Sequence, residues 1–238
     1  MALYVPEPLF SPVNVIGHFR RLPLSFRNDP KRSNAYRKAQ EASFVAEMLA
    51  GRRSADKTNY WLRIIGDGEQ SPDIKTYAWK HSGKIPDGMW EHFVEVTEYE
   101  EHSSEPLIDF LDRTKLHNYK HDPLLVILCR ITRYAHISSH TDLKHQLVNR
   151  KVVNPVLLCG PSTDPNFPDT DHTLIEFSPA PDAPPAWVRF NLDKELSTMD
   201  RRGVLVLDKR RTPAYLPKEK HYPFGGLGFV PNEDGSYS

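Results

Sequence analysis

Residues 123–131 read PLLVILCRI, a run of nine residues with one charge, Arg130, and polar loops on both sides. A strand with one face in water alternates apolar and polar side chains. This run does not alternate, so it suits a strand covered on both faces, as in a parallel or mixed sheet flanked by helices.

The rest of the chain supports that reading. Residues 34–50 show helical spacing, with Ser33 or Asn34 to cap the start and Gly51 to end it. Phe44 and Met48, Val45 and Leu49, and Ala42 between them form an apolar stripe. YWLRII (60–65), DIKTYAW (73–79) and WEHFVEVTEY (90–99) read as three successive strands separated by turn-forming loops. A helix capped at Ser104 with Pro106 in its first turn follows. After the apolar run come a helix over DLKHQLVNR capped by Ser139, then strands at PVLLCG (155–160) and TLIEFSP (173–179). WVRFNL and GVLVLDK read as late strands. The expected fold is α/β, a mixed central β-sheet flanked by helices. Residues 1–33, rich in proline and arginine, are expected to form an extended basic arm with a short strand at VNVIGHF. Residues 34–180 form the core, and 181–238 form a C-terminal extension packed on or beside it.

The charged residues, 26% of 238, balance to zero, so no whole-protein field draws the chain to nucleic acid or membrane. Locally the balance differs. Between residues 20 and 38, Arg20, Arg21, Arg27, Lys31, Arg32, Arg37 and Lys38 face Asp29 alone. With Phe19, Phe26 and Tyr36 for stacking, this stretch could grip phosphates; a solvated arm is the other reading. Cys129 and Cys159 each lie in an apolar run, where a free thiol behaves as a small hydrophobe. Two buried thiols without a disulfide framework suggest a reducing compartment. No secretory leader is apparent, and no apolar run approaches the ~20 residues that span a bilayer. A cytoplasmic protein is expected.

Three carboxylates stand where burial should forbid them: Glu41 on the stripe of the first helix, Asp73 at the start of the second strand, and Glu95 between two valines of the third. A carboxylate leaving water needs a cation or dense hydrogen bonding. Oxygen ligands alone suit a hard ion such as Mg2+ or Mn2+. Glu47 is the rival on the helix, but its angle turns it away from the stripe.

Ser71-Pro72-Asp73, followed on the next strand by Val94-Glu95-Val96, resembles the PD-(D/E)XK nuclease superfamily, the restriction-endonuclease-like fold. The helix carrying Glu41-Ala42-Ser43-Phe44-Val45 is similar to the family's first helix, and the order helix–strand–strand–strand–helix–strand matches its core. The resemblance covers roughly residues 34–160. It implies that Asp73, Glu95 and the carbonyl of Val96 bind Mg2+ or Mn2+, with Glu41 in support. It also implies phosphodiester hydrolysis, in DNA ahead of RNA, by a metal-bound water. The family's lysine slot, two residues after the second acid, holds Thr97. Thr97 can hold a water but brings no charge, and taken alone it is an ordinary β-former. Lys75, on the same strand face as Asp73, is the first substitute; Lys115 comes behind it. The alternative is a degenerate nuclease-fold subunit that binds nucleic acid or a protein partner without cutting. A homodimer or a larger nucleoprotein assembly fits either reading; a membrane partner fits neither.

Other motifs carry less. Among His117, His121, His136, His140 and His145, an i, i+4 pair on a helix could hold zinc, but Ser138-Ser139 reads as a helix start that takes His136 and His140 off one helix face; no CxxC or HExxH pattern supports zinc, and these histidines are expected at the surface. GGLGF near the C-terminus lacks the lysine and helix of a phosphate loop.

Overall fold

A computed structural model describes residues 7–65, 74–81, 86–100, 104–119, 125–132, 140–162, 166–199, 204–207, 213–215, 222–224 and 227–229. In chain order, β1 (Glu7–Phe10) leads into α1 (Pro12–Arg21), a 3-10 turn (Leu24–Asn28) and the long helix α2 (Ser33–Asp56). Three strands follow: β2 (Tyr60–Ile64), β3 (Ile74–His81) and β4 (Pro86–Tyr99). Next is α3 (Leu107–Leu111), running through a π-helical turn (Asp112–Leu116) into α4 (His117–Tyr119). β5 (Leu125–Ile131), α5 (His140–Asn149), β6 (Val156–Pro161), β7 (His172–Phe177), β8 (Ala186–Phe190) and α6 (Leu192–Ser197) complete the core. Short strands β9 (Val204–Leu207), β10 (Pro213–Tyr215), β11 (Tyr222–Phe224) and β12 (Leu227–Phe229) follow.

The main sheet has the order β10-β9-β1-β2-β3-β4-β5-β6-β7-β8, while β11 and β12 pair separately. Only β4-β5 and β5-β6 are parallel; the remaining neighbours are antiparallel. The chain is therefore α/β with a mixed sheet. Residues 125–131 of the apolar run form β5, set between β4 and β6, with every residue of the strand but Arg130 buried.

Strand alternation divides two cores. Val94, Val96, Val126, Leu128 and Leu157 face α2, whose Ala42, Val45, Met48 and Leu49 are fully buried. Tyr99, Ile127, Cys129, Leu158 and Ile175 face α3 and α5. Both crossovers, β4 to β5 and β5 to β6, advance the same way across the sheet. Right-handed connections therefore lay both helical segments on one face, which leaves the other face to α2.

Three expectations about the elements change. VNVIGHF is helix, not strand: Ser11 caps it, Pro12 begins it, and buried Val15 and Ile16 join the core beside α2. Residues 12–21 are thus a helix packed on the core rather than part of an extended arm, while the 3-10 turn after it has no buried residue. Helix α2 does not stop at Gly51 but runs to Asp56, ending at left-handed Lys57 (φ 60°). A Cβ on Gly51 would stand 2.8 Å from Phe190 Cε1 and 3.1 Å from Leu174 Cβ, so the glycine serves a close approach to β7 and β8. The boundary at residue 180 falls between β7 and β8, which pair in one sheet. Ser139, His121 and His136 lie outside the described residues.

Candidate active site

Strand β4 sends Glu91, Phe93, Glu95, Thr97 and Tyr99 to the α3 side of the sheet, by the two-residue period of a strand. The valines on either side of Glu95 pack against α2, as the alternation requires. The Glu95 side chain is 3% exposed. Its charge is met by Lys115, whose Nζ donates to Glu95 Oε2 at 2.7 Å.

The local winding explains how Lys115 arrives there. It sits in the π-helical turn Asp112–Leu116. Leu111 and Leu116, five residues apart, are both fully buried. An i→i+5 turn stacks residues five apart on one side, whereas regular α-helix would splay them. That winding anchors the segment on two leucines and directs the residue before Leu116 at β4.

Lys75 goes elsewhere. It lies across from Phe93 in the β3–β4 register, with Nζ 3.3 Å from Glu91 Oε1 and 4.8 Å from the Phe93 ring centre. Glu91 and Glu95 are four residues apart along β4, roughly 13 Å at strand rise. Two ion pairs therefore line this face, Lys75–Glu91 and Lys115–Glu95, and the second holds the buried acid. Thr97 is half-buried on the same face, opposite Cys129 of β5. The backbone of Val96 pairs with Leu128. Asp73 lies outside the described residues. Among the described residues, no group of three or more His, Cys, Asp or Glu is placed to hold a metal ion. Glu95 supplies a hard oxygen donor that suits Mg2+ or Mn2+, and it is the one described carboxylate of the expected ligand set.

Helix α2 distributes its acids differently from the one-stripe reading. Glu41 pairs with Arg37 one turn earlier, Nη1 to Oε1 2.9 Å. Glu47 turns inward and meets Arg130 of β5, Nε to Oε2 3.0 Å, with His172 Nε2 at 4.0 Å. His172 in turn holds Asp171 through Nδ1 at 2.8 Å. The Arg130 guanidinium covers the Phe44 ring and donates to the carbonyl of Ile131 at 2.7 Å. It fits because position 160 is glycine: a Cβ there would stand 2.8 Å from Arg130 Nη1. Burial is the largest influence on Glu47 and pushes its carboxyl above the usual range, against the pull of Arg130 and His172. Sheet, α1 and α6 pack around α2, and every position from 42 to 51 but Glu47 itself is buried.

The seven basic residues divide in the same manner. Arg20, Arg21, Arg27, Lys31, Arg32 and Arg37 are exposed, and Lys38 is half-buried, reaching the carbonyl of Ile65 at 3.5 Å. Arg20 binds Asp193 at 2.8 Å, and Arg32 stacks over Phe26 at 4.3 Å beside Asp29. Phe19 and Tyr36 pack on each other, ring centres 5.5 Å apart. His117 and His145 are exposed; His140 is half-buried and meets Trp187 edge-on at 5.9 Å. Cys129 and Cys159 are free and fully buried, and burial pushes both thiols well up. No described helix is long and apolar enough to cross a membrane.

Comparison with protein-family models, with curated proteins and with solved structures returns no match to this chain.

Proposed function

We propose that this chain is a metal-dependent phosphodiester hydrolase acting on DNA, centred on Glu95, with Lys115 in the role that Thr97 leaves open. The observation that supports the reading is the Glu95–Lys115 pair: a buried acid on the third strand of the meander and an ammonium 2.7 Å away. In this reading Glu95, the carbonyl of Val96 and Asp73 hold Mg2+ or Mn2+, which when bound lowers the pKa of a water and offsets charge on the phosphate. Lys115 brings positive charge to the same carboxylate and stabilises negative charge developing beside it. Thr97, on the same strand face, offers a hydroxyl to orient a water. The exposed arginines of α1, the 3-10 turn and the start of α2 hold the phosphate backbone.

A second reading has its own support. Lys115 already neutralises Glu95 within the fold, and a buried pair of this kind can serve register alone. The chain would then bind nucleic acid or a protein partner without cutting it.

Incubation with supercoiled plasmid and with a single-stranded oligonucleotide, in Mg2+, Mn2+ or EDTA, separates the two. Cleavage that requires the metal, is lost in Glu95→Gln and Asp73→Asn, and falls about 10²–10³-fold in Lys115→Met supports the enzyme. Undiminished cleavage by Glu95→Gln rejects it. DNA retention without cleavage in every metal selects the binding protein.

A further inference from the structure

Past the tight contact at Gly51, the last turns of α2 and the sheet line an open-mouthed cavity of about 400 Å³. It lies on the α2 side, so the sheet separates it from Glu95. Its volume falls within the ~300–1,000 Å³ range of small-molecule sites. Ala78, Val126, Leu174 and Val188, drawn from four strands, give it an apolar floor. The polar lining comes from Arg52 and Asp56 of α2, Tyr60 of β2, His92 of β4 and Glu176 of β7.

These groups hold one another in place. Arg52 Nη2 lies 3.2 Å from Glu176 Oε2, and the Tyr60 hydroxyl donates to Asp56 Oδ2. The arrangement is therefore preorganised, which lowers the ordering cost of binding. Its charge is unequal: one guanidinium stands against two carboxylates. Burial, and then the neighbouring Arg52, hold His92 below its usual range, so the imidazole adds no charge at neutral pH. An anion entering here would meet net negative charge. A donor-bearing head would find two carboxylates.

We propose that this cavity binds a small amphipathic molecule with an apolar body of aromatic-ring size and an uncharged or singly cationic hydrogen-bond-donor head, the head lying between Glu176 and Asp56 and the body on Leu174 and Val188. It is a ligand site separate from the nucleic-acid chemistry proposed above.

Three probes with one indole body and three head charges test it: tryptamine, tryptophol and indole-3-acetate. Binding is read by saturation-transfer NMR and by the shift in melting temperature of the full chain. Tryptamine is expected to bind most tightly and tryptophol next, with indole-3-acetate at least tenfold weaker than tryptophol. In Glu176→Gln, tryptamine loses its advantage over tryptophol and indole-3-acetate gains. Val188→Phe, which fills the floor, abolishes binding of all three; Ala186→Phe at the mouth does the same if the first variant does not fold. Failure of all three probes to bind the wild-type chain overturns the proposal. So does equal binding of indole-3-acetate and tryptamine, or binding that survives the filled cavity.

Discussion

Lys115 Nζ sits 2.7 Å from Glu95 Oε2, joining a π-helical turn to the strand it follows across twenty residues of sequence. The Glu95 side chain is 3% exposed and that of Lys115 18%. Removing one member of a buried pair strands the other, at a cost of about 3–5 kcal/mol. Glu95→Leu should fall within that range, and Lys115→Leu toward its lower end. The Glu95→Leu/Lys115→Leu double variant should recover much of the loss. Urea unfolding of the four proteins measures the coupling, and additive single losses would show that the contact contributes nothing.

Gly51→Ala should destabilise the chain although alanine is the better helix former by about 1 kcal/mol. The added Cβ meets Phe190 Cε1 at 2.8 Å and two atoms of Leu174 at 3.1 Å. Overpacking of this kind costs about 1–3 kcal/mol. Gly51→Ala combined with Phe190→Leu should regain part of it. A rise in melting temperature for Gly51→Ala alone would contradict the close approach.

The Glu47 and Asp171 carboxyls should give opposite pH signatures. Burial holds Glu47 above its ordinary value of 4.5. The folded chain then keeps a proton that the unfolded chain releases, so this group's contribution is present below 4.5 and is lost as pH rises through the raised value. Asp171 is held below 3.8: burial, the largest single influence, pushes it up, but hydrogen bonds from His172 and the Leu192 amide together outweigh it. Its contribution is present above 3.8 and is lost as pH falls through the depressed value. Denaturant unfolding from pH 3 to 7 should therefore show the Glu47→Gln minus wild-type difference rising with pH above 4.5. The Asp171→Asn difference should fall as pH rises through the acidic range. Parallel pH curves for wild type and Glu47→Gln would refute the first assignment.

Arg27 and Lys31 are exposed on the layer that α1 and the 3-10 turn build beside α2. If they grip phosphates of duplex DNA, Arg27→Ala/Lys31→Ala should lower the slope of log K against log salt by about 1.8. Fluorescence anisotropy with a labelled duplex between low and moderate salt measures it. An unchanged slope would place the DNA contact elsewhere.

The strands were legible because their chemistry is local. PLLVILCRI lacks alternation and became the central β5, while FVEVTEY alternates and became the part of β4 that divides two cores. Position 95 was legible too, as an acid flanked by residues bound for the other face. The errors share a different cause. VNVIGHF carries β-branched residues that suit a strand, but Ser11, Pro12 and the cover of α2 make it helix. A single apolar stripe leaves Glu47 outside, but the groups that meet it, Arg130 and His172, come from β5 and β7 and no helical spacing records them. Gly51 has the spacing of a helix stop, whereas its missing side chain admits Phe190 from β8, far along the chain.

The sequence alone determined which way each side chain leaves its backbone, since the periods of strand and helix follow from chain geometry. That was enough for the α/β class, the mixed sheet, the buried thiols and the singular position of Glu95. Tertiary structure alone decided what stands opposite: Lys115 rather than Lys75 at Glu95, Arg130 at Glu47, and a cavity beneath the end of α2. A partner across a layer is set by how distant segments pack, and no local spacing records that distance.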